Sequence, residues 1–261
     1  MRTVILNLFW SITLLFSYSN CNETPPKPAL LPPQATAPTA VNISNLNYWV
    51  EADRFFVVGI CDNLSNDWQK ILLRMAPMKN GKPITVNDAV DAVFPTFSDA
   101  VPPRGRTSFM AEWPLGAFSD TPDSCTVTGG GAIPMSPGPI LIATEQSGVK
   151  MLVGEKVGDS LVMVEKAWQV NVLVENPLDV QALHPRVELL VYGTDQRLWF
   201  AGVLNPEDPQ QKQVVNAEHE GTMAPQEKRR IGANVYYNSL PQALKDKKIG
   251  RIEFHPFEAR Q

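Results

Sequence analysis

Two stretches, set side by side, decide the fold: VGICDNLSNDWQKILLRMAPMKNGK at residues 58–82 and VNVLVENPLDVQALHPRVELLVYGTD at residues 170–195. In each, an apolar run stops at an acidic residue followed by asparagine, Asp62-Asn63 and Glu175-Asn176. A short polar turn comes next, then a second apolar run that ends at a glycine turn, Gly81 or Gly193. Runs of this length, rich in β-branched and aromatic residues and bounded by Asn, Asp, Gly and Pro, indicate strands. Asparagine suits the break between runs because it tolerates left-handed backbone and hydrogen-bonds its own chain. Further along, PPRGRTSFMAEW (102–113) parallels APQEKRRIGANV (224–235). A proline, Pro103 or Pro225, stands six positions before an apolar residue, Phe109 or Ile231, that opens a strand and has the same inward parity in both copies. The chain thus carries one supersecondary plan twice, matched in layout rather than in identity.

The rest of the body agrees. DRFFVVGICDN (53–63), RVELLVYGTDQRLWFAGVL (186–204), RRIGANVYY (229–237) and KKIGRIEFHPF (247–257) are further strand runs, and VKMLVG with DSLVMVEKAW flanks a Gly-containing turn as a hairpin. Helical candidates are limited to VNDAVDAVF (86–94) and SLPQALKDKK (239–248). Many short strands at regular turn-bounded spacing predict an all-β fold, two immunoglobulin-like β-sandwich domains in tandem. The expected boundaries are 44–135 for the first sandwich, 136–166 for a connecting hairpin and 167–258 for the second sandwich. The order of strand, Asn turn, strand, Gly turn and Pro-led strand resembles the FxLYD-type and water-stress (LEA-like) β-sandwich domains. VLVENPLD followed by ALHPRVELLVYGTD carries most of the resemblance, and FVVGICDNLSNDW is the second match. The loop between Gly193 and Pro225 is longer than that pattern. The resemblance implies immunoglobulin-like modules of exported bacterial proteins that bind or support other molecules and have no catalytic residue.

The N-terminus speaks to location. After Met1-Arg2, residues 4–16 are mostly Ile, Leu, Phe, Trp and Val. This run falls short of the roughly 20 residues that span a bilayer and fits the apolar region of a signal peptide over 1–20. Tyr18, Ser19 and Asn20 do not form a small-residue cleavage site. Cys21 in this position resembles the acylated cysteine of a bacterial lipoprotein, although Asn20 and Tyr18 depart from that pattern; plain secretion is the alternative. Residues 21–43 are Pro- and Ala-rich and predict an extended linker of about 3.1 Å per residue. If Cys21 carries lipid, Cys61 and Cys125 remain as an even pair, and in an exported chain they are a disulfide candidate. Two free buried thiols are the other possibility.

The function classes narrow from there. With 44% hydrophobic and 19% charged residues the chain can bury a core, and a formal net charge of −4 gives no ground for nucleic acid, which is not expected as a partner. His184, His219 and His255 are far apart in sequence, with no i, i+4 spacing for zinc, so no metal or cofactor is expected. TGGGA (128–132) lacks the following Lys-Ser/Thr of a phosphate loop, and Asp88 with Asp91 reads more simply as a solvated turn than as an acid–base pair. Lys228, Arg229 and Arg230, together with Lys245, Lys247, Lys248 and Arg251, form a possible basic interaction patch for anionic lipid, polysaccharide or an acidic protein. Lysines that discourage edge pairing are the simpler account. The expectation is a non-enzymatic cell-envelope protein, periplasmic, outer-membrane-anchored through Cys21, or secreted, acting as adaptor or assembly component for another envelope protein. The alternatives are a carbohydrate-active or other enzyme with its site between the domains, and a periplasmic chaperone or inhibitor working by β-strand addition. A long uncovered edge strand would favour the last.

Overall fold

A computed structural model describes residues 40–204, 221–236, 240–242, 244 and 249–260. The expected signal peptide, Cys21 and nearly all of the linker lie outside the described residues, as does His219. Thr36–Gln261 forms one compact unit, and the described part is an all-β sandwich fold. Its strands are β1 (Val41–Glu51), β2 (Arg54–Asn63), β3 (Gln69–Lys79), β4 (Lys82–Pro83), β5 (Ala92–Pro95), β6 (Arg106–Pro114), β7 (Ser124–Pro134) and β8 (Ile142–Val157). They continue with β9 (Ser160–Glu175), β10 (Ala182–Leu183), β11 (Pro185–Gly193), β12 (Leu198–Leu204), β13 (Thr222–Met223), β14 (Lys228–Tyr236) and β15 (Ile249–Glu258). The helical turn expected over 86–94 is not formed: Val86 makes isolated bridges to Ala89 and Phe118, and residues 92–95 pair with β3 as strand β5.

The halves repeat one arrangement. In the first, β1-β2-β6 form one sheet, and β3 pairs with β7 on one edge and with β4 and β5 on the other. In the second, β8-β9-β14 form the matching sheet, and β11 pairs with β15 and β12. Details coincide as well. Asn63 Nδ2 donates to the carbonyls of Asp67, Val101 and Pro102, and Asn176 Nδ2 donates to those of Val180 and Ala224. The backbone N–H of Asn63 bonds Gly105 O, and that of Asn176 bonds Glu227 O. Arg104 and Gln226 hold the same left-handed turn position, φ 58° and 59°. Asp62–Arg106 and Glu175–Lys228 are equivalent cross-strand ion pairs, each at 2.7 Å. Phe109 and Ile231 both point into cores. The glycine turns do not correspond: Gly81 itself turns left-handed (φ 72°), whereas Gly193 ends β11 and Gln196 (φ 63°) takes the left-handed position.

Burial patterns reveal how the sheets stack. β3, and β9 from Val170 on, alternate buried and half-exposed residues, as strands with one covered face do. β2 and β11 are buried almost continuously. On β2, Phe55, Val57 and Cys61 face the core shared with Ile71, Leu73 and Met75 of β3. Val58 and Ile60 point the other way, onto Leu190 and Tyr192 of β11 and Leu198 and Ala201 of β12. Val187, Leu189 and Val191 of β11 face the second core, with Val170, Val172 and Val174 of β9. The sheets containing β2 and β11 are therefore inner layers, each covered on both sides.

Cys61 and Cys125 are two separate buried thiols, which corrects the expected bridge. Cys61 lies two residues before Asn63, beside the Gln69 end of β3, whereas Cys125 pairs with Pro77 near its far end. At about 3.3 Å per strand residue they stand at opposite ends of the sandwich, and a bridge needs α-carbons within about 7 Å. Burial pushes both thiols up to about 12.

Candidate interaction surface

The β8–β9 hairpin outgrows the sheet it belongs to. Among the described residues, β14 pairs with β9 as far as Tyr236 opposite Ala167, yet β9 begins at Ser160. The first half shows how much of this hairpin the fold needs. There the β1–β2 hairpin turns at Ala52-Asp53, directly after Glu51 pairs with Arg54. With Asp62 and Glu175 equivalent, Arg54 corresponds to Ala167, each eight residues earlier. Residues 160–166 of β9 and the facing residues 152–157 of β8 are thus an extension the first copy lacks. At about 3.3 Å per residue the arm reaches about 23 Å beyond the sheet. The segment expected as a connecting hairpin over 136–166 supplies β8 and the whole of this arm.

Directly opposed residues share a face of a ribbon. Glu155 faces Val162, Val153 faces Val164 and Val157 faces Ser160 on one side. On the other, Lys156 faces Leu161, Gly154 faces Met163 and Leu152 faces Glu165. Large apolar side chains are exposed on both: Val153, Val157 and Val162 on the first, Leu152, Leu161 and Met163 on the second, with Leu161 at 74%. Leu161 lies over Gly154, where a β-carbon would come within 3.2 Å of Leu161 Cδ1. Gly158 (φ 63°) makes the tip, and Lys150 and Glu165 form an ion pair at 2.6 Å near the base. Among the described residues, β8 pairs with no strand but β9; β15 packs beside its base, where a β-carbon on Gly148 would lie 3.8 Å from Ile252 Cδ1, and the unpaired edge runs on along the arm.

The expected basic patch is not assembled among the described residues. Lys228 binds Glu175, Arg229 binds Glu227 at 2.6 Å, and Arg230 binds Glu145 at 2.7 Å. Arg251 belongs to the other sheet of this half, where it lies over the Tyr192 ring and pairs with Glu253 at 2.9 Å. Lys245, Lys247 and Lys248 lie outside the described residues. The glycines of TGGGA sit within β7: Gly129 pairs with Leu73 and Gly131 with Leu72, leaving Gly130 as a bulge. Asp91 pairs with Arg74 at 3.2 Å, and Asp88 occupies a left-handed turn. Among the described residues no group of three His, Cys, Asp or Glu is placed to hold a metal, and no helix is long and apolar enough to cross a membrane.

The junction of the halves, where a site between domains would lie, is packed with apolar side chains around one acid. Glu188 accepts from Thr107 Oγ1 at 2.6 Å, from Ser108 N at 2.8 Å and from Ser108 Oγ at 2.7 Å. Burial raises its carboxyl to about 7 against these hydrogen bonds, which pull the other way. Neither this acid nor the protrusion of the arm was singled out from the sequence. A cleft of about 220 Å³ lies beside the junction, lined by Phe97, Asp99, His184, Arg186 and Arg260 among others.

No family model matches the sequence, and no curated protein is similar to it. Among solved structures the chain is similar to red sea bream transglutaminase, at 15% identity and a TM-score of 0.22. The match covers 84% of this chain and 30% of that one. A likeness at this TM-score carries no argument about fold or activity.

Proposed function

We propose that the protein is a non-enzymatic component of a bacterial cell envelope, tethered by its Pro-rich linker, with Cys21 as the lipid-bearing residue, and that it binds another envelope protein through the β8–β9 arm. The observation that carries the reading is internal to the chain. The first copy of the plan closes its sandwich without an extension, so the arm is surplus to folding, and surplus apolar surface of this kind marks an interaction site. The partner contributes an extended strand that adds to the open edge of β8, its backbone satisfying the unpaired groups there while alternate side chains meet the apolar residues of each face. This makes strand addition the working form of the adaptor role, and it suits the immunoglobulin-like modules the chain resembles.

The test shortens the arm. Residues 153–164 are removed and residue 152 is joined to 165 through Asn-Gly, a two-residue hairpin turn. The shortened chain is expected to keep the stability of the parent and to lose co-purification of its envelope partner after crosslinking in cells. Retention of the same partner at the same yield would overturn the proposal.

A further inference from the structure

The interface between the two inner sheets contains one carboxylate and, among the described residues, no lysine or arginine in an ion pair with it. Glu188 sits on the face of β11 that carries Leu190 and Tyr192, opposite Val58 and Ile60 of β2, and is 1% exposed. Its three hydrogen bonds to Thr107 and Ser108 run from β11 of the second half to β6 of the first. With Asn47 Nδ2 of β1, which donates to Leu198 O of β12 at 2.9 Å, they are the polar ties of a largely apolar junction.

The charged and titratable groups around it come from five places. β2 brings Cys61, a neutral thiol pushed up to about 12, and Asp62, held by Arg106 of β6 at 2.7 Å. β11 itself brings Arg186 and Tyr192, the latter pushed up to about 12 by burial and by Glu253. β15 brings Glu253 and His255; His255 stands opposite Glu188 in the register, and burial lowers its imidazole, keeping it neutral near pH 7. The turn before β6 brings Asp99, which is bound to Lys70 at 2.8 Å. Glu188 is the fully buried carboxyl of this set, raised to about 7 by burial.

We propose that Glu188 is a proton-operated clasp between the halves: protonated, it rests as a neutral acid in the Thr107–Ser108 cradle and keeps the inner sheets docked; ionised, it sets an uncompensated charge in an apolar junction and loosens them. The proton is exchanged with solvent. Burial pushes the folded carboxyl up to about 7 from its ordinary value of 4.5. The folded state therefore holds the extra proton between those values, and its contribution to docking is full below about pH 4.5 and lost as pH rises through 7. This inference is independent of the arm.

Amide hydrogen exchange between pH 5.5 and 8.5, corrected for intrinsic rates, reads the junction in β6 and β11. In the wild-type chain, protection there is expected to fall by up to about tenfold per pH unit between 5.5 and 7, as release of one proton allows, and to level off above 7. Glu188→Gln, which keeps a neutral side chain of the same shape, is expected to show a flat profile. An equal slope in both proteins, or a flat wild-type profile, would overturn the clasp. Should the glutamine variant fail to fold, carboxyl-carbon NMR of the wild type decides: a glutamate titrating near 7 supports the clasp, and its absence, with every glutamate near 4.5, refutes it.

Discussion

Asn63 and Asn176 carry the turns that define each half, but not by the property that first suggests them. Neither adopts left-handed backbone. Each instead folds its amide back to gather carbonyls from two loops, while its Oδ1 receives the N–H two residues on, from Ser65 or Leu178. Asn63 serves three carbonyls and Asn176 two. Removing either side chain strands buried acceptors. Asn63→Ala is expected to lower stability by about 2–4 kcal/mol and Asn176→Ala by less, measured by urea denaturation. Losses below about 0.5 kcal/mol in both would contradict this role. The turns were legible in the sequence because acidic-Asn pairs interrupt apolar runs. The fate of the cysteines was not, since pairing depends on position along the sandwich, which spacing does not encode. Both thiols are expected to resist alkylation in the native protein and to react once it unfolds; mass spectrometry after labelling in each state checks this.

The arm separates what an element contributes to folding from what it offers to others. Its apolar side chains are already in water, so Leu161→Ser combined with Met163→Ser is expected to change stability by less than about 0.5 kcal/mol. Phe109→Ala, in the first core, is expected to cost about 3–5 kcal/mol. Thermal denaturation of the two variants in parallel tests the contrast, and a large loss in the arm variant would mean that its residues are buried in the body. The hairpin itself could be read from VKMLVG and DSLVMVEKAW around a glycine turn. Its protrusion could not, because apolar residues on both faces normally indicate a strand covered on both sides. The comparison of pairing lengths among the described residues, where β14 pairs as far as Ala167 and β9 runs on, distinguishes the two cases.

At the scale of the molecule, two copies of one plan share an interface instead of following one another as independent beads. The signal was present in FFVVGIC and ELLVYG, whose lack of alternation marks strands covered on both faces. What those runs pack against is not written in them, and a tandem arrangement satisfies the same pattern until the second face of β2 is seen against β11. Because the inner sheets share a core, calorimetry of residues 40–261 is expected to show one unfolding transition; two resolved transitions would mean that the halves fold separately. The functional claim concerns the whole tethered protein, and it is tested most directly in the intact chain in its own envelope. A photo-crosslinking residue is placed at Leu161 on the arm and, as a control, at Val93, an exposed residue of β5 in the first half. The account predicts one discrete crosslinked envelope protein from position 161 and none from position 93. Equal yields from both positions, or no adduct from the arm, would contradict it.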